Sequence, residues 1–225
     1  MAAATQTKPT LMIVHGGWHV PESYEKLVTA LEAEGYEVHV PRLPSANQVR
    51  PPNGDLESDT ALVRGYVESL VRAGRDVVAI LHSYGVKSAP TPLKEFGNMD
   101  LVPVAFDIAE DGSCLSRDPK GLVVGPMFDD AKLDDAEIDK YLATFVRWNG
   151  NCMYQATQHA AWREIPVTFI YTTADMTVPI AYQKNFVEGL EKAGRKVQTF
   201  ELPTGHCPNF TATEGVLNAI KATAV

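Results

Sequence analysis

The chain has 225 residues, 45% of them apolar and 21% charged, which suffices for a sizeable core and excludes a disordered segment. With 20 Lys and Arg against 28 Asp and Glu, the net charge is −8 and no basic run occurs, so neither nucleic acid nor an anionic membrane is expected as a partner. No apolar run approaches the roughly 20 residues of a membrane span, Met1–Thr10 lacks a signal-peptide core, and Cys114, Cys152 and Cys207 suggest neither a disulfide framework nor a zinc site; one cytoplasmic domain over residues 1–225 is expected.

Short β-rich runs alternate with helical patterns along the chain, the mark of a parallel sheet covered on both faces. Thr10–Val14 reads as the first strand and ends in His15-Gly16-Gly17. Pro21 suits the first turn of a helix with Tyr24, Leu27, Val28 and Leu31 on one face, and Gly35 sits at its left-handed cap. Glu37–Val40 is a second strand. After a Pro-rich loop, Asp55 or Ser58 caps a helix carrying Leu62, Val63, Tyr66, Val67, Leu70 and Val71, which stops near Gly74. Asp76–Leu81 has the content of a buried central strand and runs into His82-Ser83-Tyr84-Gly85. Leu101–Phe106 and Val167–Tyr171 are the fourth and fifth strands. The fifth feeds Asp175 and a helix showing Phe186, Val187 and Leu190, closed by Gly194. Lys196–Glu201 is the sixth strand and leads to His206, with a last helix over about 213–222. Residues 111–162 break the rhythm and are predicted to form a small helical lid. Its helix is capped by Asp134 or Asp135 and striped by Ile138, Tyr141, Leu142, Phe145 and Val146; Phe128, Trp148 and Trp162 are candidates to line a pocket.

The segment Leu81–Gly85 carries the chemistry. A buried strand that turns at a serine and enters a helix describes a nucleophile elbow, which holds the serine in a strained conformation and exposes its hydroxyl at the sheet's C-terminal edge. Gly85 satisfies the downstream small position, whereas Leu81 replaces the upstream glycine. A serine hydroxyl needs a base to take its proton and an acid to orient that base. Asp175 and His206 follow the fifth and sixth strands, so Ser83, Asp175 and His206 all stand past strand ends, where open α/β sheets place their ligands. Asp107 is a second candidate acid. His15-Gly16-Gly17-Trp18 follows the first strand and offers a backbone N–H, at Gly17 or alternatively Trp18, opposite that of Tyr84 as an oxyanion hole. Trp18, His19 and His82 flank this site as candidate substrate contacts. The acidic stretch Asp129–Asp139 lacks the alternating ligands and turn glycine of a calcium loop, and neither metal nor cofactor is expected.

With these motifs the chain resembles the α/β-hydrolase-fold serine hydrolases, in particular compact fungal and bacterial members with a His-Gly-x-Trp-His start, here His15–His19, and a His-Ser-Tyr-Gly elbow. The similarity runs from Thr10 over nearly the whole length and includes Pro21-Glu22-Ser23-Tyr24, Phe128-Asp129-Asp130 and Ala161–Pro166. Plant methyl esterases and hydroxynitrile lyases are more distant look-alikes. Val86 departs from the pattern, and Pro90 and Pro92 shorten the helix expected after the elbow. The resemblance implies an α/β-hydrolase fold of about six mostly parallel strands flanked by helices, lacking the first hairpin. It implies Ser83 as nucleophile, His206 as base and Asp175 as acid, with the amides of Gly17 and Tyr84 for the oxyanion. The expected activity is hydrolysis of an ester or thioester of a small to medium apolar molecule. The alternatives are the same three residues serving as a proton shuttle in a lyase or cyclase, and a non-catalytic ligand receptor. An exposed lid or edge helix leaves room for a homodimer.

Overall fold

The computed structural model describes residues 8–88, 105–126, 133–157 and 160–224. Phe128, Pro90, Pro92 and residues 101–104 of the expected fourth strand lie outside them. Strand β1 (Thr10–Val14) pairs in parallel with β2 (Val38–His39) on one side and β3 (Val77–Leu81) on the other, Thr10 facing Val77 and Val14 facing Leu81. Strands β7 (Val167–Thr172) and β8 (Val197–Leu202) form a second parallel pair. Between these two sets lies an antiparallel unit that periodicity does not reveal: β4 (Phe106–Ile108), β5 (Ser113–Ser116) and β6 (Trp148–Asn149), in that spatial order. Its strands have two to four residues, too few for an alternation of two to register.

The helices follow the sequence closely. A 3₁₀ turn at Pro21–Tyr24 leads into α1 (Glu25–Ala33), and Gly35 adopts the left-handed φ of 82° expected at its end. Asp55, not Ser58, caps α2 (Leu56–Arg72), accepting the Ser58 amide at 3.0 Å. Asp134, not Asp135, caps α3 (Asp135–Leu142), which ends before Phe145 and Val146. Helices α4 (Ile180–Lys192), α5 (Pro208–Thr211) and α6 (Thr213–Thr223) complete the chain, and among the described residues no helix is long and apolar enough to cross a membrane.

Alternation along β1 builds two layers. Leu11 and Ile13 point to one face, where Leu27 and Leu31 of α1 and Val216 and Ile220 of α6 cover them together with Val78, Ile80, Ile170 and Leu202. This one helical layer therefore spans both parallel strand sets. Met12 and Val14 point to the other face, against Leu43 and the Leu62, Val63 and Val67 stripe of α2. Strand β3 pairs with β1 along its whole length, and Leu81 at its end is 39% exposed; residues 101–104, the expected next strand, lie outside the described residues. A third cluster, with Trp18, Val123, Val124, Ile138, Tyr141, Trp148 and Phe210, sits beyond the C-terminal ends of β1 and β3. There the site is built.

Candidate active site

The ladder between β1 and β3 continues one step past the strands, with the His82 amide donating to the Val14 carbonyl at 3.1 Å. The backbone then turns sharply: Ser83 has φ 51°, a left-handed value that costs a non-glycine residue about 1–2 kcal/mol. A 3₁₀ helix, Ser83–Ser88, leads away. Gly85 lets the turn close, because a Cβ there would stand 2.5 Å from the Val14 carbonyl oxygen. At position 81, where the pattern has the upstream glycine, the chain carries a leucine that is 39% exposed. Gly85→Ala is expected to destabilise the fold by about 1–3 kcal/mol through overpacking against β1, read as a lower urea midpoint; an unchanged midpoint would count against this packing.

His206 Nε2 lies 2.8 Å from Ser83 Oγ, and His206 Nδ1 lies 2.7 Å from Asp175 Oδ2. These bonds join residues 123 and 31 positions apart in sequence. Asp175, 6% exposed, has no spare acceptor: Oδ1 takes the amides of Thr177 and Val178 at 2.8 and 2.7 Å, and Oδ2 also takes the Thr172 hydroxyl at 3.0 Å. Burial opposes its charge, but the His206 ring and these hydrogen bonds outweigh burial and hold its pKa below the ordinary carboxylate value. Asp107 instead pairs with Arg147 at 2.8 Å, which commits it elsewhere.

Gln183 of α4, 3% exposed, secures the loop that carries Asp175 by donating to the carbonyls of Thr172 and Val178 and accepting the Thr172 amide. A polar residue three and four positions before Phe186 and Val187 on a buried stripe is the signal that would have found it. Asp59 has the same signature on α2. It is 3% exposed and accepts from the Ser45 amide, the Ser45 hydroxyl and the Tyr84 hydroxyl, the last at 2.8 Å. Burial raises its pKa. Ser45 Oγ in turn accepts Trp148 Nε1 at 3.0 Å, so one carboxylate orients both Tyr84 and Trp148, whose rings meet at 4.7 Å. The Trp148 indole packs against Gly17, where a Cβ would stand 3.0 Å from its ring.

The turn after β1 is held on every side. His15 Nδ1 donates to the Gly16 carbonyl while its Nε2 accepts the Leu43 amide, and His19 Nδ1 donates to the Gly17 carbonyl. Among the described residues no acceptor is bonded to the amides of Gly17, Trp18 or Tyr84. His19 and His82, expected at the substrate, are otherwise employed. His19 is 1% exposed with Nε2 accepting the Tyr141 hydroxyl, and both ring nitrogens of His82 are bonded to Tyr24 and to the His206 carbonyl. Burial keeps all three rings neutral, pushing His15 down to about 4, His82 to about 3, and His19 well below its usual value. Trp18 is 5% exposed and packs on Phe106 inside the third cluster. Trp162 lies in a 3₁₀ turn, Ala161–Arg163, that precedes β7, where Arg195 binds the carbonyls of Arg163 and Ile165. It therefore stands at the opposite end of β7 from Asp175, away from the site.

Comparison with known proteins agrees with this architecture. The protein named "Probable hydrolase R7" of Phoma sp. is 24% identical over 92% of this chain and 95% of its own. A pyrethroid hydrolase from Sphingobium faniae JZ-2 superposes with a TM-score of 0.72 at 19% identity, covering 96% of this chain and 97% of that one. Polyneuridine aldehyde esterase does so with a TM-score of 0.73 at 15% identity, covering 97% of this chain and 100% of that one. Residues 11–219 match the model of the alpha/beta hydrolase family, and with its parallel strands, flanking helices and serine turn the chain belongs to that family.

Proposed function

We propose that the protein is a serine hydrolase that cleaves an ester or thioester of a small to medium apolar molecule through an acyl-enzyme on Ser83. The observation that carries this reading is the unbroken hydrogen-bond series from Ser83 Oγ through His206 to Asp175. His206 Nε2 takes the hydroxyl proton as Ser83 attacks the carbonyl carbon. Asp175 holds the Nδ1–H tautomer and supports the imidazolium that forms. The amides of Gly17 and Tyr84 donate to the developing oxyanion; the intermediate collapses with cleavage of the C–O or C–S bond, and the leaving alcohol or thiol takes the proton from His206. Water, deprotonated by His206, then attacks the acyl-enzyme, and Ser83 leaves with that proton as the acid is released. The words hydrolase and esterase in the relatives' names support hydrolysis of an ester in general terms.

In this reading the whole chain works as one domain, and residues 111–162 cap it. Support comes from three contacts: Trp148 on Gly17, the Thr177 hydroxyl donating to the Leu122 carbonyl at 2.7 Å, and Gly125 closing on Gly205. Trp148, Tyr84, Val123 and Leu122 give the capped region an apolar character suited to an uncharged acyl group. The test is a panel of p-nitrophenyl esters of rising chain length, followed by quenched intact-mass analysis. An acyl adduct located on Ser83 is the expected result. Turnover without any adduct under burst conditions would overturn the acyl-enzyme and favour a proton-shuttle reaction.

A further inference from the structure

The hydrogen bonds around His82 run in one direction, and a single carbonyl sets that direction. His82 Nε2 lies 2.8 Å from the His206 carbonyl oxygen, which can only accept, so Nε2 carries the ring proton. In the neutral ring Nδ1 is then bare and accepts the Tyr24 hydroxyl at 2.5 Å. With its own proton committed, the Tyr24 oxygen accepts the Gly16 amide at 3.1 Å. The series therefore leads from the backbone of the turn after β1, through Tyr24 and His82, to the backbone of the residue that bonds Ser83. Tyr24 is 1% exposed, and burial together with the neighbouring His206 and His15 rings keeps His82 uncharged well below neutral pH.

We infer that Tyr24 and His82 are positioning residues for the hydrolytic reaction, a neutral strut that sets the oxyanion turn at Gly16–Gly17 relative to the His206 loop. The inference rests on the roles proposed above for Ser83, His206 and Gly17. Oxyanion stabilisation and proton transfer must be satisfied at once around one tetrahedral carbon, and small misplacements are costly. Neither loop is bonded to the other directly through its own backbone among the described residues. The strut makes that link without placing a charge beside the base. Because the amide of Gly16 shares a turn with that of Gly17, loss of the strut weakens transition-state binding more than substrate binding.

Tyr24→Phe and His82→Phe are each expected to lower kcat about 10- to 100-fold with KM changed less than about threefold, below the full loss of an oxyanion donor. The double variant is expected within about twofold of the weaker single, because either substitution cuts the same series; independent defects would multiply. Tyr24→Phe keeps the buried ring, so it serves where His82→Phe folds poorly. Nitrogen-15 NMR of the imidazoles gives a readout independent of activity. His82 is expected as the neutral Nε2–H tautomer, and Tyr24→Phe should shift its Nδ1 resonance toward that of a free nitrogen. Wild-type labelling of Ser83 by a fluorophosphonate with unchanged rates in both variants would overturn the strut. So would an Nδ1–H tautomer. Absence of labelling in the wild type would instead overturn the hydrolase reading itself, and the positioning role with it.

Discussion

Ser83→Ala is expected to abolish fluorophosphonate labelling and to lower turnover of the best ester by about 10⁶, the scale of nucleophile loss in a well-studied serine protease. In the proposed mechanism the remaining groups, the Gly17 and Tyr84 amides and the His206 ring, retain some binding of the transition state but have no atom to acylate. The same site predicts a second observable that separates chemistry from folding. Ser83 sits at φ 51°, which alanine tolerates no better than serine and glycine adopts freely. Melting of Ser83→Ala should therefore match the wild type within about 1 kcal/mol, while Ser83→Gly, equally inactive, should be more stable by about 1 kcal/mol. Full labelling of either variant would refute Ser83 as the nucleophile.

Asp175→Asn is expected to cost about 10⁴ in kcat, and the hydrogen-bond pattern says why. The amides of Thr177 and Val178 both donate to Oδ1, so an asparagine must keep its oxygen there and turn its NH₂ toward His206. That NH₂ donates to Nδ1 and drives the ring into the Nε2–H tautomer, which cannot accept the Ser83 proton. Affinity for an unreactive amide analogue should stay within about threefold of wild type; an equal loss there would point to a collapsed loop. The substitution also alters acid stability. The folded pKa of Asp175 lies below the unfolded value of about 3.9, so its carboxylate contributes stability above that pH and the contribution is lost as pH falls through the folded value. Asp59, whose pKa is raised, acts with the opposite sign but is common to both proteins and cancels in their difference. The wild type should thus lose its margin over Asp175→Asn as urea midpoints are followed below about pH 4; parallel curves would contradict the assignment.

Much of this molecule is legible in its residues because the signals are local. Five of the six expected strands lie within a residue or so of those observed, since alternation and apolar runs reflect which face of each strand is buried. Ser83, Asp175 and His206 are readable as candidates for a related reason: each follows a strand's C-terminal end, and parallel strands put all such ends on one edge. The antiparallel β4–β5–β6 unit is not legible, because its pairings run over only three and two residue pairs, too short for an alternation to stand out. Tyr24 is legible as a core residue and is 1% exposed, yet nothing in the apolar pattern that it shares with Leu27 and Leu31 discloses what its hydroxyl binds.

By itself, the sequence determined the order of the parallel strands and the main helices, the serine turn after β3 and the short set of residues able to do acid–base work there. Which of them meet was decided by tertiary structure alone. It gave His206 to Asp175 and Arg147 to Asp107, turned His19 and His82 inward as neutral supports, left Trp162 at the far end of β7, and brought Asp59 and Gln183 beneath the site. The physical reason is that a hydrogen bond between residues separated by 123 positions depends on how three packed layers settle, and no run of neighbouring residues encodes that distance.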